Sequence, residues 1–350
     1  MMNILRILIL ELKVLQKMII FQVVALVAIN NISIQAQIAK DQYNLNICKE
    51  LYIDTLEHQP RVLNTEVIIN KNFIVSCEWT DEDIFTLHDL NSKKYIGSFG
   101  KKKDFKDNFF YPEMQSTKDG FLVRDKKYLY KITYEILKGQ VKYSIKPVFK
   151  FPLKRKTIVS WADQLSDSLF LFKVIDQLDN SIYFGKKSAK KKVRPLLSAS
   201  NHFNTINEVN TLIRCKPDRS EIAILPKYNS NKFSIVTAEG EIVYDTHLEF
   251  LQHSKRGWLT LHYTKMYTTD AYIYGLYRNL TNRIGDYRFI PGDVYELHIW
   301  DWKGNSINQF QLPERIDNIV VTNDDSVILG VSDQQGMWIL YGFDGKSLCK

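Results

Sequence analysis

Beyond about residue 60 the apolar residues of this chain seldom fall at helical spacing. They come instead in short alternating or continuous runs broken by turn residues, the pattern of strands. Aligning these runs exposes a longer period. Asn72-Phe-Ile-Val-Ser76, Gly120-Phe-Leu-Val-Arg124, Ser168-Leu-Phe-Leu-Phe172, Glu221-Ile-Ala-Ile-Leu225, Ala271-Tyr-Ile-Tyr-Gly275 and Ser326-Val-Ile-Leu-Gly330 recur at intervals of roughly 50 residues. A third strand follows most of them, among them Ile84–His88, Tyr128–Ile132, Phe233–Val236, Tyr295–Trp300 and Met337–Tyr341. A fourth comes after a tight turn in Tyr95–Phe99, Glu241–Tyr244 and Ser306–Phe310. Six groups of about four strands predict an all-β chain, a six-bladed β-propeller.

Turn chemistry fits that register. Thr117-Lys-Asp-Gly120, Pro217-Asp-Arg-Ser220, Asn323-Asp-Asp-Ser326, Ala238-Glu-Gly240, Trp302-Lys-Gly304 and Phe343-Asp-Gly345 are compact Asp/Gly turns. All fall between strands one and two or strands three and four of a group. The last group ends too soon to supply its own fourth strand. Glu50-Leu-Tyr-Ile-Asp54 is expected to provide it, joining the two ends of the chain. Cys48 and Cys349 would then lie close enough for a disulfide that staples the ring.

The N-terminus has a different pattern. Lys13 and Lys17 precede the apolar run Met18–Ile29, and a polar stretch ends at Ala36. This is the layout of a secretory signal, too short to span a bilayer comfortably, with cleavage expected after Ala36 or retention as an anchor. Residues 1–36 are therefore read as the signal and 37–350 as one domain, exported to the periplasm or beyond. No second long apolar run follows.

Composition sharpens this picture in two places. The chain holds 19 Tyr, 19 Phe and 6 Trp, side chains that suit pleated, half-buried surfaces. Its formal charge is +8, and Arg6, Lys13 and Lys17 against Glu11 place +2 of that in the signal. Much of the remainder clusters in Lys101–Lys103 and Lys186–Arg194, read as solvated turns. No recognition helix, zinc pair or RNA-binding signature accompanies these runs, so nucleic acid is not an expected partner. The four cysteines form no C-x-x-C pair, and Cys48 has no small residue just before it, as a lipidation site would. No metal site or cofactor is expected.

Residues along the chain also resemble the TolB-like six-bladed propellers, secreted or lipid-anchored, of Bacteroidetes-type bacteria. Tyr95-Ile-Gly-Ser-Phe-Gly100, Cys215-Lys-Pro-Asp218, Tyr272-Ile-Tyr-Gly-Leu-Tyr277 and Leu297-His-Ile-Trp-Asp-Trp-Lys-Gly304 carry the likeness. Lys101-Lys-Lys-Asp-Phe105 stands where the family commonly has a Gly-rich segment. The resemblance implies the fold and export; propellers host many unrelated activities.

Propeller topology sorts the connections onto two faces. The short turns emerge on one, and the long segments 100–111, 197–208, 247–257 and 277–293 on the other. Long irregular loops are commonly functional, so the second is the expected binding face. Trp79, Arg124, Tyr228, Tyr277 and Arg278 stand just past second strands, while Tyr287 and Arg288 ride the longest loop. Aromatic rings offer contact area and Arg a bidentate fork, which suits a protein, peptide or glycan of the cell envelope. His88, His262 and His298 sit in separate strands and at no metal-binding spacing. The expected function is a monomeric, non-enzymatic binding propeller. The alternative is a carbohydrate-active hydrolase or lyase whose acid and base converge in the central channel.

Overall fold

A computed structural model describes residues 43–44, 49–52, 66–77, 82–106, 113–125, 127–151, 157–166, 169–176, 182–188, 191–198, 211–228, 230–248, 251, 258–283, 295–312, 316–334 and 337–344. The expected signal segment, Trp79, Tyr287, Arg288 and the expected disulfide partners Cys48 and Cys349 lie outside these residues. From Lys49 onward the described chain forms six antiparallel sheets. In five of them four consecutive strands pair in sequence order, as hairpins joined end to end require. Their first strands are Glu66–Asn70, Glu113–Thr117, Thr157–Ser166, Thr211–Cys215 and Trp258–Thr268. The sixth sheet begins with Asn318–Val321 and continues through Val327–Gln334 and Met337–Asp344.

The fourth strand of that last sheet comes from the other end of the domain. Lys49–Tyr52 runs antiparallel to Met337–Asp344, pairing Lys49 with Gly342 and Tyr52 with Ile339. Backbone N–H and C=O groups at an open sheet edge would otherwise lack partners. This bears out the strand expected around residue 50.

The cores lie between sheets. Phe85 and Phe99 of the first sheet pack on Phe121 and Tyr134 of the second. Phe149 of the second stacks flat on Phe170 of the third, with centroids 4.7 Å apart. Trp161 and Leu171 of the third meet Ile213 and Ile222 of the fourth. Phe233 of the fourth meets Tyr263 and Trp300 of the fifth. Leu297 and Phe310 of the fifth meet Ile319 and Ile328 of the sixth. Val320 and Leu329 of the sixth then pack on Val67 and Ile74 of the first. Every sheet thus buries both of its faces against its neighbours, the β-propeller arrangement, and the aromatic excess supplies much of the contact.

Several strands run past their expected ends, two of them furthest. The second strand of the fifth sheet runs Tyr272–Arg283, well past Gly275, because Leu276 and Tyr277 continue the apolar run and pair with Leu297 and Glu296. In the second sheet Tyr128–Leu137 and Gln140–Lys150 form an extended hairpin. Its tight turn uses left-handed backbone at Lys138 and Gly139, with φ of 52° and 76°. No helix among the described residues is long and apolar enough to cross a membrane.

Candidate functional site

The first strands of the sheets line the axis, and at one end they surround a cavity of about 610 Å³, within the range of small-molecule sites. Its rim is made by the short turns after first strands, including Lys71, Lys118, Pro217 and Asn323. The mouth therefore opens on the short-turn face.

Several of these first strands carry a charged residue, and across the axis these charges meet one another. Lys265 of the fifth sheet places its Nζ 2.7 Å from Oε1 of Glu66 in the first. Arg214 of the fourth sheet pairs through Nη1 with Oε1 of Glu113 in the second. Arg124 approaches the other Glu113 oxygen at 3.4 Å and donates to the carbonyl of Val159 at 2.9 Å. Near the mouth, Arg219 Nη1 lies 2.6 Å from Oδ2 of Asp163, whose side chain is only 1% exposed. At the rim, Lys131 stands 3.7 Å from Asp119.

These neighbours set how the carboxyls titrate. Burial alone would raise Glu113, but the Arg214 and Arg124 guanidiniums outweigh it and hold the carboxyl below its ordinary value. Burial wins at Asp163, raising it despite Arg219. Cys215 beside it is also pushed up, by burial and by the Asp163 charge, so its thiol stays protonated and poorly nucleophilic. Lys173, between the third and fourth sheets, donates to Oγ1 and the carbonyl oxygen of Thr211. Burial, reinforced by the charge on Lys227, brings it down to about 7.

The expected site residues that can be described face inward more than outward. Tyr277 is 7% exposed and stacks on His298, with centroids 5.1 Å apart. Arg278 is also 7% exposed; it donates to the Ile316 carbonyl and pairs with Asp317 at 2.8 Å. Both belong to a strand that continues beyond the expected end, and this explains their burial. Arg124 is held by Glu113 and Val159 as above. Tyr228 is half-buried, bridged to Leu261 through the backbone and overlain by the Lys227 ammonium. The structure thus gathers Arg124 into the axial charge network and places Tyr277 and Arg278 in the contacts of the fifth sheet with its surroundings.

A second polar constellation lies within the fifth sheet. The Tyr263 hydroxyl is 2.8 Å from Nδ1 of His298, whose Nε2 is 2.6 Å from Oε2 of Glu296. Gln309 donates to the same carboxylate oxygen at 2.5 Å. Burial lowers the His298 pKa, and Glu296 opposes this only in part. The neutral ring then donates from Nε2 to Glu296 and accepts the Tyr263 proton at Nδ1. His88 and His262 are buried too, beside Tyr95 and Tyr277. Among the described residues, no three His, Cys, Asp or Glu side chains are grouped to hold a metal ion.

Sequence reasoning missed Glu66, Glu113, Arg214 and Lys265. The available signal was a lone charge within each of these four first strands, and nothing in one chain says which partner it meets across the axis.

Sheets packed face to face around a charged axial cavity define a β-propeller. No family model and no curated protein matches the chain. Among solved structures it is similar to an oligogalacturonate lyase in complex with manganese, at 11% identity and a TM-score of 0.44, covering 88% of this chain and 81% of that one. A luciferin-regenerating enzyme aligns at 10% identity and 0.45, covering 86% and 97%. A DUF4623 family protein from Bacteroides eggerthii aligns at 10% and 0.45, covering 87% and 76%. Likenesses this distant transfer no function.

Proposed function

We propose that this chain is an exported, six-bladed propeller of the TolB-like kind that acts by recognition, not catalysis. Its binding site in this reading is the axial cavity. One observation carries the proposal: each carboxylate among the described lining residues is paired with a cation. Glu66 has Lys265, Asp119 has Lys131 and Asp163 has Arg219, while Glu113, just behind Arg214, is held by two guanidiniums. General acid–base chemistry needs a group free to exchange its proton near the working pH. A network of mutual pairs instead gives a rigid surface with fixed hydrogen-bonding groups, which suits binding by shape.

The partner in this reading is a protein, peptide or glycan of the cell envelope, bound at the short-turn mouth instead of the long-loop face. The inward commitments of Arg124, Tyr277 and Arg278 support that placement. The experiment is an array of envelope saccharides and peptides probed with the purified domain, with bound material analysed by mass spectrometry. Binding with the ligand recovered intact is the expected result. Cleaved or unsaturated saccharide products would overturn the reading in favour of a hydrolase or lyase.

A further inference from the structure

We infer that the axial cavity takes an acidic saccharide, with its carboxylates at the short-turn mouth; this rests on the recognition reading above. The cavity has surplus positive charge once its pairs are set aside. Lys71 and Lys118 both line it and are both exposed. Lys71 lies over the Tyr134 ring, 5.3 Å from its centroid, a contact that leaves the ammonium charge uncancelled. Among the described residues no carboxylate pairs with either lysine.

The two lysines occupy corresponding places in adjacent sheets, each in the turn that follows a first strand. Both therefore stand at the rim, where an anion entering the cavity meets them before it meets the paired charges inside. Deeper in, Glu113 is shared by Arg214 and Arg124, so that cluster keeps one net positive charge and adds to the attraction for an anion.

Charge alone would suit an acidic peptide equally well, and the neutral lining decides between the two. Gln115, Ser116, Gln164, Ser166, Thr268 and Asn323 bring amide and hydroxyl groups from several sheets to the same space. A pyranose presents hydroxyls around its whole edge and can meet such groups on every side. An extended peptide presents its polar backbone along two edges and side chains elsewhere. Tyr267 also lines the cavity, and aromatic rings are surfaces that a sugar face can cover.

The test is calorimetric titration of the purified domain at low and high salt with three probes. These are a short oligoglucuronate, the neutral oligoglucose of the same linkage and length, and hexaglutamate. Oligoglucuronate is expected to bind at least tenfold tighter than the neutral oligomer, with the advantage shrinking at high salt. The K71A/K118A double variant, altered only at exposed positions, is expected to lose at least tenfold in oligoglucuronate affinity, as removal of charge-assisted contacts implies. Equal or tighter binding of the neutral oligomer, or unchanged affinity in the double variant, would overturn the acidic-ligand assignment. Preferred binding of hexaglutamate would overturn the saccharide assignment. Failure of all three probes would overturn this inference, while array binding of some other intact ligand would leave the recognition reading standing.

Discussion

Lys265 and Glu66 are 199 residues apart in sequence, yet the ammonium of one lies 2.7 Å from the carboxylate of the other. The pair joins the first strand of the fifth sheet to the first strand of the first. Arg214 and Glu113, 101 residues apart, join the fourth sheet to the second in the same way. An ion pair at the wall of a narrow, partly solvated cavity is weakly screened and spans elements that share little direct packing. The axis is therefore stapled by charge as well as by the apolar contacts between sheets.

The Arg214–Glu113–Arg124 cluster gives the largest expected electrostatic effect. Glu113→Gln leaves two guanidiniums facing each other with their common counter-charge removed. Truncating one partner of a buried pair costs about 3–5 kcal/mol, and the residual exposure of these side chains, 12–20%, brings the expectation to about 2–3 kcal/mol. Urea denaturation of the two proteins checks it. Because Glu113 titrates below its ordinary value, its contribution is present at neutral pH and is lost as pH falls through the depressed folded-state value. The wild-type midpoint should accordingly drop more steeply in acid than that of the variant.

Lys173 should reveal itself on the alkaline side. Its folded-state pKa of about 7 lies far below the ordinary lysine value, so between those limits the unfolded chain binds the extra proton. Stability is then expected to rise with pH across that window and to level off as the unfolded lysine loses its charge. Lys173→Met should remove this slope and raise the melting temperature at neutral pH, since a burial penalty disappears with the amine. A flat wild-type profile between pH 7 and pH 10 would contradict the assignment.

His298 predicts the opposite end of the range. Its pKa is lowered in the fold by burial, so acidification favours the unfolded chain once pH passes below the ordinary histidine value. Thermal melts are expected to fall from about pH 6.5 downward, and His298→Gln should blunt the response. Tyr263→Phe, which removes only the hydroxyl bonded to Nδ1, is expected to cost about 1–2 kcal/mol at pH 7.

Gly120 tests the packing directly. A Cβ built there would come within 2.0 Å of the Ile132 carbonyl oxygen, a backbone atom on the paired strand. Gly120→Ala must push two strands of the second sheet apart, with an expected cost of about 3 kcal/mol, at the upper end of overpacking effects. Gly139→Ala is the comparison. Nothing lies within 4 Å of a Cβ there, so only the positive φ is penalised, at roughly 1 kcal/mol. Equilibrium denaturation of the two variants should rank them in that order.

Much of the architecture could be read from the chain because it is encoded locally. The second strands expected at Gly120–Arg124 and Glu221–Leu225 appear at Gly120–Arg124 and Glu221–Pro226. Period-two alternation and the Asp/Gly turns are properties of neighbours in sequence, and they fixed the strands, their recurrence and the closing strand near residue 50. The strand positions of His88, His262 and His298 were legible too, but only the packing of the sheets shows that all three are less than 4% exposed.

The site was much less legible. Tyr277 and Arg278 read as loop residues because the sequence gives no firm end to a strand whose apolar run simply weakens, and pairing with Leu297 and Glu296 carries it on. Glu113 and Arg214 drew no attention in the sequence because the two partners lie 101 residues apart along the chain. Which charges face each other depends on the curvature that brings six first strands to one axis. The sequence by itself determined the strands, their order and the aromatic material between the sheets. Only the tertiary structure decided that the charges of distant strands neutralise one another and that two rim lysines are left over. Pairing across an axis is a property of where sheets lie in space, and no local pattern records it.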